Sequence, residues 1–308
     1  MNKYIVTTTI NPPTEATKLF AEKKDWKFII VGDLKTPHNL YRVLEKRNPN
    51  VMYLSPEDQK KMYGKLSKSI SWNTVERRNI GYVYAYNEGA EVIASVDDDN
   101  IPYHTWGREL YVGKTILIDC YKPENGIFDP LSVTKANYLW HRGFPIELLQ
   151  TKNKVLHIGK VKRKVLVQAD LWDGDPDIDA IARLTYRPVV KYKEIKHPYC
   201  SKAISPFNSQ NTFLSRDAFP YYAVLPYIGR MEDIWGSYIL QHYKPGCVIY
   251  NCATVYQDRN KQDLIKNLED EIVGYRYTHA FINDIANYEK FLPDNTNRFY
   301  DIYRKSFH

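Results

Sequence analysis

The sequence predicts an α/β protein with a mixed, mostly parallel central sheet, flanking helices and a helical C-terminal tail. Three observations predict it. Strand-like and helix-like segments alternate through the first hundred residues, as βαβ units require. The apolar run Val92-Ile93-Ala94-Ser95-Val96 stops at Asp97-Asp98-Asp99-Asn100, the form of a buried strand that delivers polar groups to a sheet edge. Beyond Asp263, apolar residues recur among charges at helical spacing.

Each element follows from local chemistry. Tyr4 to Thr9 is rich in β-branched residues and reads as the first strand. After Pro12-Pro13, Thr14 is placed to cap a helix running to about Lys24. Trp26 to Val31 is a second strand closed by Gly32-Asp33, and Val51 to Leu54 a third, after which Ser55-Pro56 opens a polar helix. Ser71 to Gly89 reads as one long helix, with Asn73 or Thr74 near its start, Val75, Ile80, Val83 and Tyr84 facing inward, and Gly89 as its stop. Val92 to Val96 is the fourth strand. From Ile101 the order loosens into short strands broken by Pro, Gly and Asn, of which Val165 to Asp170 leads into an acidic loop, Leu171 to Asp179, and Val248 to Tyr250 stands alone. In the tail, Leu264, Leu268, Ile272 and Tyr275 share one helical face.

Composition narrows the function. A chain of 308 residues with 44% hydrophobic and 26% charged residues can bury a sizeable core. The net charge of +7 fits a partner carrying phosphates without requiring nucleic acid, and the absence of a joint basic and aromatic stripe argues against one. The Lys160-Val161-Lys162-Arg163-Lys164 run alternates as a solvated strand or loop would. The 26 tyrosines finish the core or line a polar cleft. Four cysteines form no CxxC pair and have no His at zinc spacing, so neither a structural metal nor a disulfide framework is expected. No stretch approaches the roughly 20 apolar residues of a membrane span and the N-terminus has no signal core, so the expectation is a cytoplasmic protein without a span.

The chemistry-bearing residues fall into two acidic sites. Open α/β sheets bind ligands beyond the carboxyl ends of their strands, where Thr7 to Thr9, Asp33 and Asp97 to Asp99 gather. No GxGxxG follows the first strand and no GxxxxGK[ST] occurs, so side chains or a metal must hold any phosphate. Three adjacent carboxylates need a cation or a hydrogen-bond network to offset their repulsion; an acidic turn is the plainer reading. Downstream, Glu232-Asp233 follows Gly229-Arg230 and opens a helix, where acids either complement the dipole or supply a general base. Asp173, Asp175, Asp177 and Asp179 alternate like a calcium loop but lack its glycine and late Glu, so contact with sugar hydroxyls is the better reading, Asp173 included. His141, His157, His242 and His279 stand isolated and suit core or surface roles.

Gly32-Asp33-Leu34-Lys35-Thr36-Pro37, the Arg77-Arg78-Asn79-Ile80-Gly81-Tyr82 helix, Val96 to Asn100, and Gln168 to Asp179 resemble the STELLO family of glycosyltransferase-like proteins over roughly residues 3–275, as do Tyr256-Gln257 and Arg259-Asn260. A more distant similarity, to the reversibly glycosylated polypeptides that act as UDP-arabinopyranose mutases, rests on Asp97 to Asp99, Phe128-Asp129-Pro130, Arg142 to Pro145 and Gly229 to Trp235. The chain is expected to depart from the plant STELLO pattern in lacking a membrane anchor, since no stretch of it is long and apolar enough to span, and it departs from the mutases at Glu232 and Gln257.

Both resemblances imply the GT-A fold of nucleotide-sugar enzymes, with residues 1–262 as the catalytic domain, 1–100 its nucleotide half and 101–262 its acceptor half, and 263–308 an extension packed on it. They imply a metal-dependent glycosyltransferase moving a sugar from a nucleotide-sugar donor, UDP-linked by preference, to a glycan or other hydroxyl acceptor. By similarity Asp97, Asp99 and Gln257 are expected to bind Mn2+ or Mg2+, Asp97 also reaching the ribose or sugar, and Asp98 sharing the metal or orienting Arg78. Thr8 and Asp33 are expected at the nucleoside, Arg78 and Arg142 at phosphate or in ion pairs, and Glu232 and Asp233 as general base and sugar-orienting acid. A nucleotide-sugar mutase glycosylated on Arg142, a non-catalytic nucleotide-sugar-binding scaffold and a metal-dependent nuclease are the alternatives.

Overall fold

The first hundred residues alternate as expected and lay down four parallel strands. The computed structural model describes residues 1–192, 194–195 and 197–307. Lys3–Thr9 (β1) is followed by Glu15–Ala21 (α1), whose N-terminus Thr14 caps by accepting from the Thr17 amide. Lys27–Gly32 (β2), His38–Arg47 (α2), Val51–Leu54 (β3), Pro56–Met62 (α3) and Gly64–Lys68 (α4) come next, α3 opening on a Ser55/Asp58 capping box. β2 and β4 (Val92–Ser95) flank β1 in parallel and β3 pairs with β2.

The long helix expected over 71–89 is shorter. A 3-10 turn at Val75–Arg77 leads into Arg78–Asn87 (α5), and Val75 is exposed. Arg77 explains the break: its guanidinium turns back on the carbonyls of Ser71 and Ile70, holding residues 70–74 out of helix. Gly81 sets the packing of α5, since a Cβ there would meet Val6 Cγ1 at 2.5 Å and Val31 Cγ2 at 2.9 Å. Gly89 takes φ +79° just past the helix end, the left-handed stop that glycine favours.

The second half extends the same sheet. Its strands are Asn100–Pro102 (β5), Thr115–Pro123 (β6), Val155–Lys164 (β7), Val167–Gly174 (β8), Tyr199–Ser201 (β9), Thr212–Ser215 (β10) and Val248–Gln257 (β11). The order is β3-β2-β1-β4-β10-β8-β11-β9-β6-β7, with β5 pairing β11. β10 runs against both β4 and β8, while β8 and β11 are parallel, so the sheet is mixed. Half of the expected acidic loop is strand: Leu171 to Gly174 belong to β8, every residue of which is buried. The basic run 160–164 lies in β7, at the sheet edge.

Ala180–Tyr186 (α6), Glu232–Tyr243 (α7), Leu264–Asn283 (α8) and Asp294–Lys305 (α9) complete the fold. The α8 face expected inward is rotated: Ile272 is 40% exposed, and Glu271, Gly274, Thr278, Phe281 and Ile282 are buried instead. That face seats on polar groups as well as core, which hydrophobic periodicity does not register. Tyr303 of α9 donates to the Phe219 and Tyr222 carbonyls, tying the tail to the sheet domain. His308, at the end of the expected extension, lies outside the described residues. Among the described residues no helix is long and apolar enough to cross a membrane.

Candidate functional site

The Asp triplet leaves β4 where the sheet ends. Asp97 meets the buried Arg78 guanidinium, which also donates to Ser95 Oγ at 3.3 Å and the Ser209 carbonyl at 3.1 Å. Asp98 does not orient Arg78 as expected; Oδ2 accepts from Thr9 Oγ1 at 2.5 Å and Asn11 Nδ2 at 2.9 Å, because the residue faces the β1 to α1 turn. Asp99 accepts from Gln257 Nε2 at 2.7 Å and the Asn260 amide at 3.3 Å. Burial, with the Asp97 charge beside it, pushes the Asp99 carboxyl up to about 7.

Gln257 closes the site in an orientation fixed by its neighbours. Asn100 Oδ1 accepts from the Asp97 amide at 2.9 Å, so its Nδ2 faces Gln257 Oε1, which leaves Nε2 toward Asp99. The amide oxygen that a metal would need is therefore committed to Asn100. Asp97 is likewise committed, to Arg78 and to Gln210 Nε2 at 2.5 Å. Among the described residues no group of three or more His, Cys, Asp or Glu side chains is arranged to hold a metal ion. What remains is a small cavity of about 100 Å3 edged by Asp98, Asp99 and Asp258. Mg2+ and Mn2+ in nucleotide sites need only one or two carboxylates plus phosphate oxygens, and Asp98 with Asp99 fits that mode.

The second acidic pair lies in a buried ionic cluster. Glu232 and Asp233 form the first turn of α7. Arg142 lies 2.7 Å from Asp177 Oδ2, 3.1 Å from Asp233 Oδ1 and 3.9 Å from Glu232 Oε1. Those three acids hold the Arg142 guanidinium firmly charged, well above its ordinary range despite the cost of burial, and Arg142, Arg259 and Arg230 together hold Asp177 well below the carboxylate range against the same cost. Glu232 is the exception: burial, only partly offset by Arg142, pushes its carboxyl up to about 8, and Oε2 has no hydrogen-bond partner.

Three consecutive residues join the two sites. Asn208 Nδ2 donates to Asp177 at 3.0 Å, Ser209 donates to Asp233 through its amide at 2.8 Å and Oγ at 3.0 Å, and Gln210 reaches Asp97. Arg259 lies between them: its guanidinium is 3.6 Å from Asp177 Oδ1 and 3.7 Å from Asp175 Oδ2, 7% exposed, with Nε and Nη2 lacking hydrogen-bond partners. Its neighbour Arg230 is better satisfied, at 3.1 Å from Asp177 and 2.9 Å from Glu271 of α8. Gly229 permits that approach, since a Cβ there would stand 2.2 Å from the Asp270 carbonyl.

The remaining expected residues serve the framework. Thr8 Oγ1 donates to the Val31 carbonyl at 2.9 Å. Asp33 accepts from the amides of Leu34 and Thr74, a turn residue stapling β2 to the start of α5. Asp173 accepts from the Tyr192 amide at 2.5 Å and Tyr103 Oη at 2.9 Å, inside β8 rather than in a loop. The sequence marked Asp177 only as one of four acids placed to contact sugar hydroxyls, and did not mark Asn208 to Gln210, Arg230 or Glu271 as site residues. Only the Arg259-Asn260 likeness pointed toward Arg259; the others carry no local signal because long-range packing assembles them.

No family model matches the chain. A search of solved structures returns glucosyl-3-phosphoglycerate synthase from Mycobacterium tuberculosis in complex with phosphoglyceric acid, at a TM-score of 0.42 and 10% identity, covering 92% of this chain and 79% of that one. Two curated proteins of Arabidopsis thaliana, the probable glycosyltransferases STELLO2 and STELLO1, are each 21% identical over 235 residues, 70% of this chain. The chain spans about 30% of the length of those two relatives. By sequence it is distantly similar to the STELLO probable glycosyltransferases.

Proposed function

We propose that the chain is a glycosyltransferase that moves a sugar from a nucleotide-sugar donor, UDP-linked by preference, to a hydroxyl acceptor. The carrying observation is the Asn208-Ser209-Gln210 bridge, which draws the strand-end acids and the α7 acids into one site around the Arg259 guanidinium, whose Nε and Nη2 have no hydrogen-bond partner. The distant likeness to probable glycosyltransferases supports the reading.

The residues divide the work. Arg259 is a buried cation with unmatched N-H groups, the form of receptor that a diphosphate satisfies through charge-assisted hydrogen bonds. Asp98 and Asp99 would hold Mn2+ or Mg2+, whose chemistry when bound is to neutralise charge on the departing diphosphate. Glu232, with one oxygen unpartnered and its proton affinity raised toward the working pH, takes the proton from the acceptor hydroxyl. Asp233, clamped by Ser209 and Arg142, fixes the first turn of α7 and with it the position of Glu232. Arg142, flanked by three acids, stays a charged ion-pair partner, and a charged guanidinium is a poor nucleophile, so the self-glycosylated reading has no support here.

The test is donor turnover. Purified protein is incubated with UDP-, GDP-, CMP- and dTDP-sugars, with and without Mn2+, and nucleotide release is followed alongside the melting temperature. Metal-dependent stabilisation and release with one nucleotide class, both lost in Asp99→Asn, is the expected result. Stabilisation without release under any acceptor extract would instead favour the scaffold.

A further inference from the structure

A second cavity, of about 590 Å3, shares no residue with the acidic centre. It lies beneath the segment 103–111, which leaves β5 and crosses β8 and β11. Pins hold that segment at both ends and in the middle. The Tyr103 amide donates to the Thr254 carbonyl at 2.9 Å, and its hydroxyl to Asp173. Trp106 is buried among Trp26, Phe20 and Phe213, with Nε1 2.9 Å from Asn211 Oδ1. At the far end Gln168 accepts from the Tyr111 amide at 2.9 Å and donates to the Glu109 carbonyl at 3.0 Å. A loop fixed at three points cannot collapse into the space below it, so the cleft keeps its shape while staying open to solvent along the exposed rim of His104, Thr105, Arg108 and Glu109.

The floor is polar and rigid. β11 slips its register against β8 between Asn251 and Val255, and this bulge turns Cys252, Ala253 and Thr254 toward the cavity. Beside them lies Asp170, 5% exposed, whose Oδ1 accepts from Gln168 at 2.8 Å and Oδ2 from Thr254 at 2.9 Å. A carboxyl group offers about four acceptor positions, so acceptor capacity remains. Asn251 adds a buried amide, Tyr103 and His104 add rings, and the rim carries Arg108 and Glu109, charges of opposite sign. A phosphate would face Asp170 and Glu109, and a cation would meet Arg108 on the rim and, on the floor, an Asp170 whose carboxyl burial pushes up to about 7. Hydroxyls, which donate and accept, suit a carboxyl, an amide and a threonine hydroxyl, and a sugar ring's apolar face suits an aromatic wall.

We infer that this cavity is a second ligand site that takes an uncharged, hydroxyl-rich ligand, one or two sugar units in size. It stands independently of the donor site and remains testable if the donor reading fails.

Cys252 is a built-in reporter, because Cys120, Cys200 and Cys247 are buried and it is not. The native protein is alkylated with iodoacetamide under mildly alkaline conditions, and Cys252 modification is timed by peptide mass spectrometry. Uncharged mono- and disaccharides are compared with inorganic phosphate and arginine. The expected result is a several-fold slowing by at least one saccharide and none by the charged compounds, with the slowing weakened in Asn251→Ala and in His104→Ala. His104 is on the exposed rim, so that variant serves if the floor variant fails to fold. Asp99→Asn should keep the protection. An unchanged rate with every saccharide, protection by charged compounds alone, or loss of protection in Asp99→Asn would each overturn the inference.

Discussion

Ser209 donates to Asp233 Oδ2 twice, from its amide at 2.8 Å and from its hydroxyl at 3.0 Å. One serine thus holds the carboxylate beside Glu232. In Ser209→Ala the amide bond survives and the hydroxyl bond does not. Hydrogen bonds to charged groups contribute about 1.5–3 kcal/mol, so donor turnover should fall by roughly ten- to a hundredfold with donor KM nearly unchanged. Steady-state kinetics checks the split.

Glu232→Gln removes the proposed general base and keeps the shape. Turnover should drop by about 10²- to 10⁴-fold, while nucleotide-induced stabilisation in a thermal melt stays as in the wild type. The wild-type rate should rise with pH through a limb near 8, where Glu232 ionises, and that limb should be absent from the residual activity of the variant.

Arg259→Gln should weaken donor binding and leave the fold intact. Loss of charge-assisted contacts to phosphate costs about 1.5–3 kcal/mol, a roughly ten- to hundredfold rise in donor Kd by calorimetry. The melting temperature without ligand should hold or rise, because burial already lowers the proton affinity of this guanidinium and its acidic partners stand no closer than 3.6 Å. A lower melting temperature would make Arg259 a structural residue.

Gly229→Ala should destabilise by more than about 1 kcal/mol, because φ is +58° and the added Cβ would meet the Asp270 carbonyl. Urea unfolding gives the loss. Turnover should fall as well, since α8 must retreat and carry Glu271 away from Arg230.

Asp129 gives a stability prediction with a definite sign. Burial raises its carboxyl from 3.8 to about 6, against the opposing Lys152 charge 3.8 Å away. Between those pH values the folded chain binds the proton more tightly than the unfolded chain, so this group's contribution falls as pH rises from about 4 to 6. The integrated loss is about 3 kcal/mol. Asp129→Asn should flatten the unfolding free energy across that window.

Much of the fold was legible because its signals are local. Thr14 and Ser55 cap the helices they precede, and the runs at Tyr4, Phe28, Val51 and Val92 are the strands of the first half. The break before α5 was not legible, since it depends on Arg77 folding back onto carbonyls that only the finished chain presents. The site divides the same way. Asp97 to Asp99 and Glu232-Asp233 stand out as acids at element ends, but Asp33 and Asp173 share that chemistry and turn out to bind backbone amides. Residue type alone could not separate them, because the difference lies in which amides the fold brings near. Asp177, expected to contact sugar hydroxyls, instead pairs with arginines, and Glu271 was hidden in an amphipathic helix, where an acid looks solvated until its arginine is found.

The pairing of Arg230 with Glu271 makes completion of the ionic cluster a late event of synthesis. The partner arrives 41 positions after the arginine, on a helix made after every strand of the sheet. A nascent chain that has folded its sheet already holds Arg142, Arg230 and the α7 acids, yet lacks the carboxylate that steadies them. A chain interrupted between β11 and α8 would lack that carboxylate together with the Phe281, Phe299, Tyr300 and Tyr303 rings that α8 and α9 add to the core, so the ionic cluster and the packing beneath it are completed together.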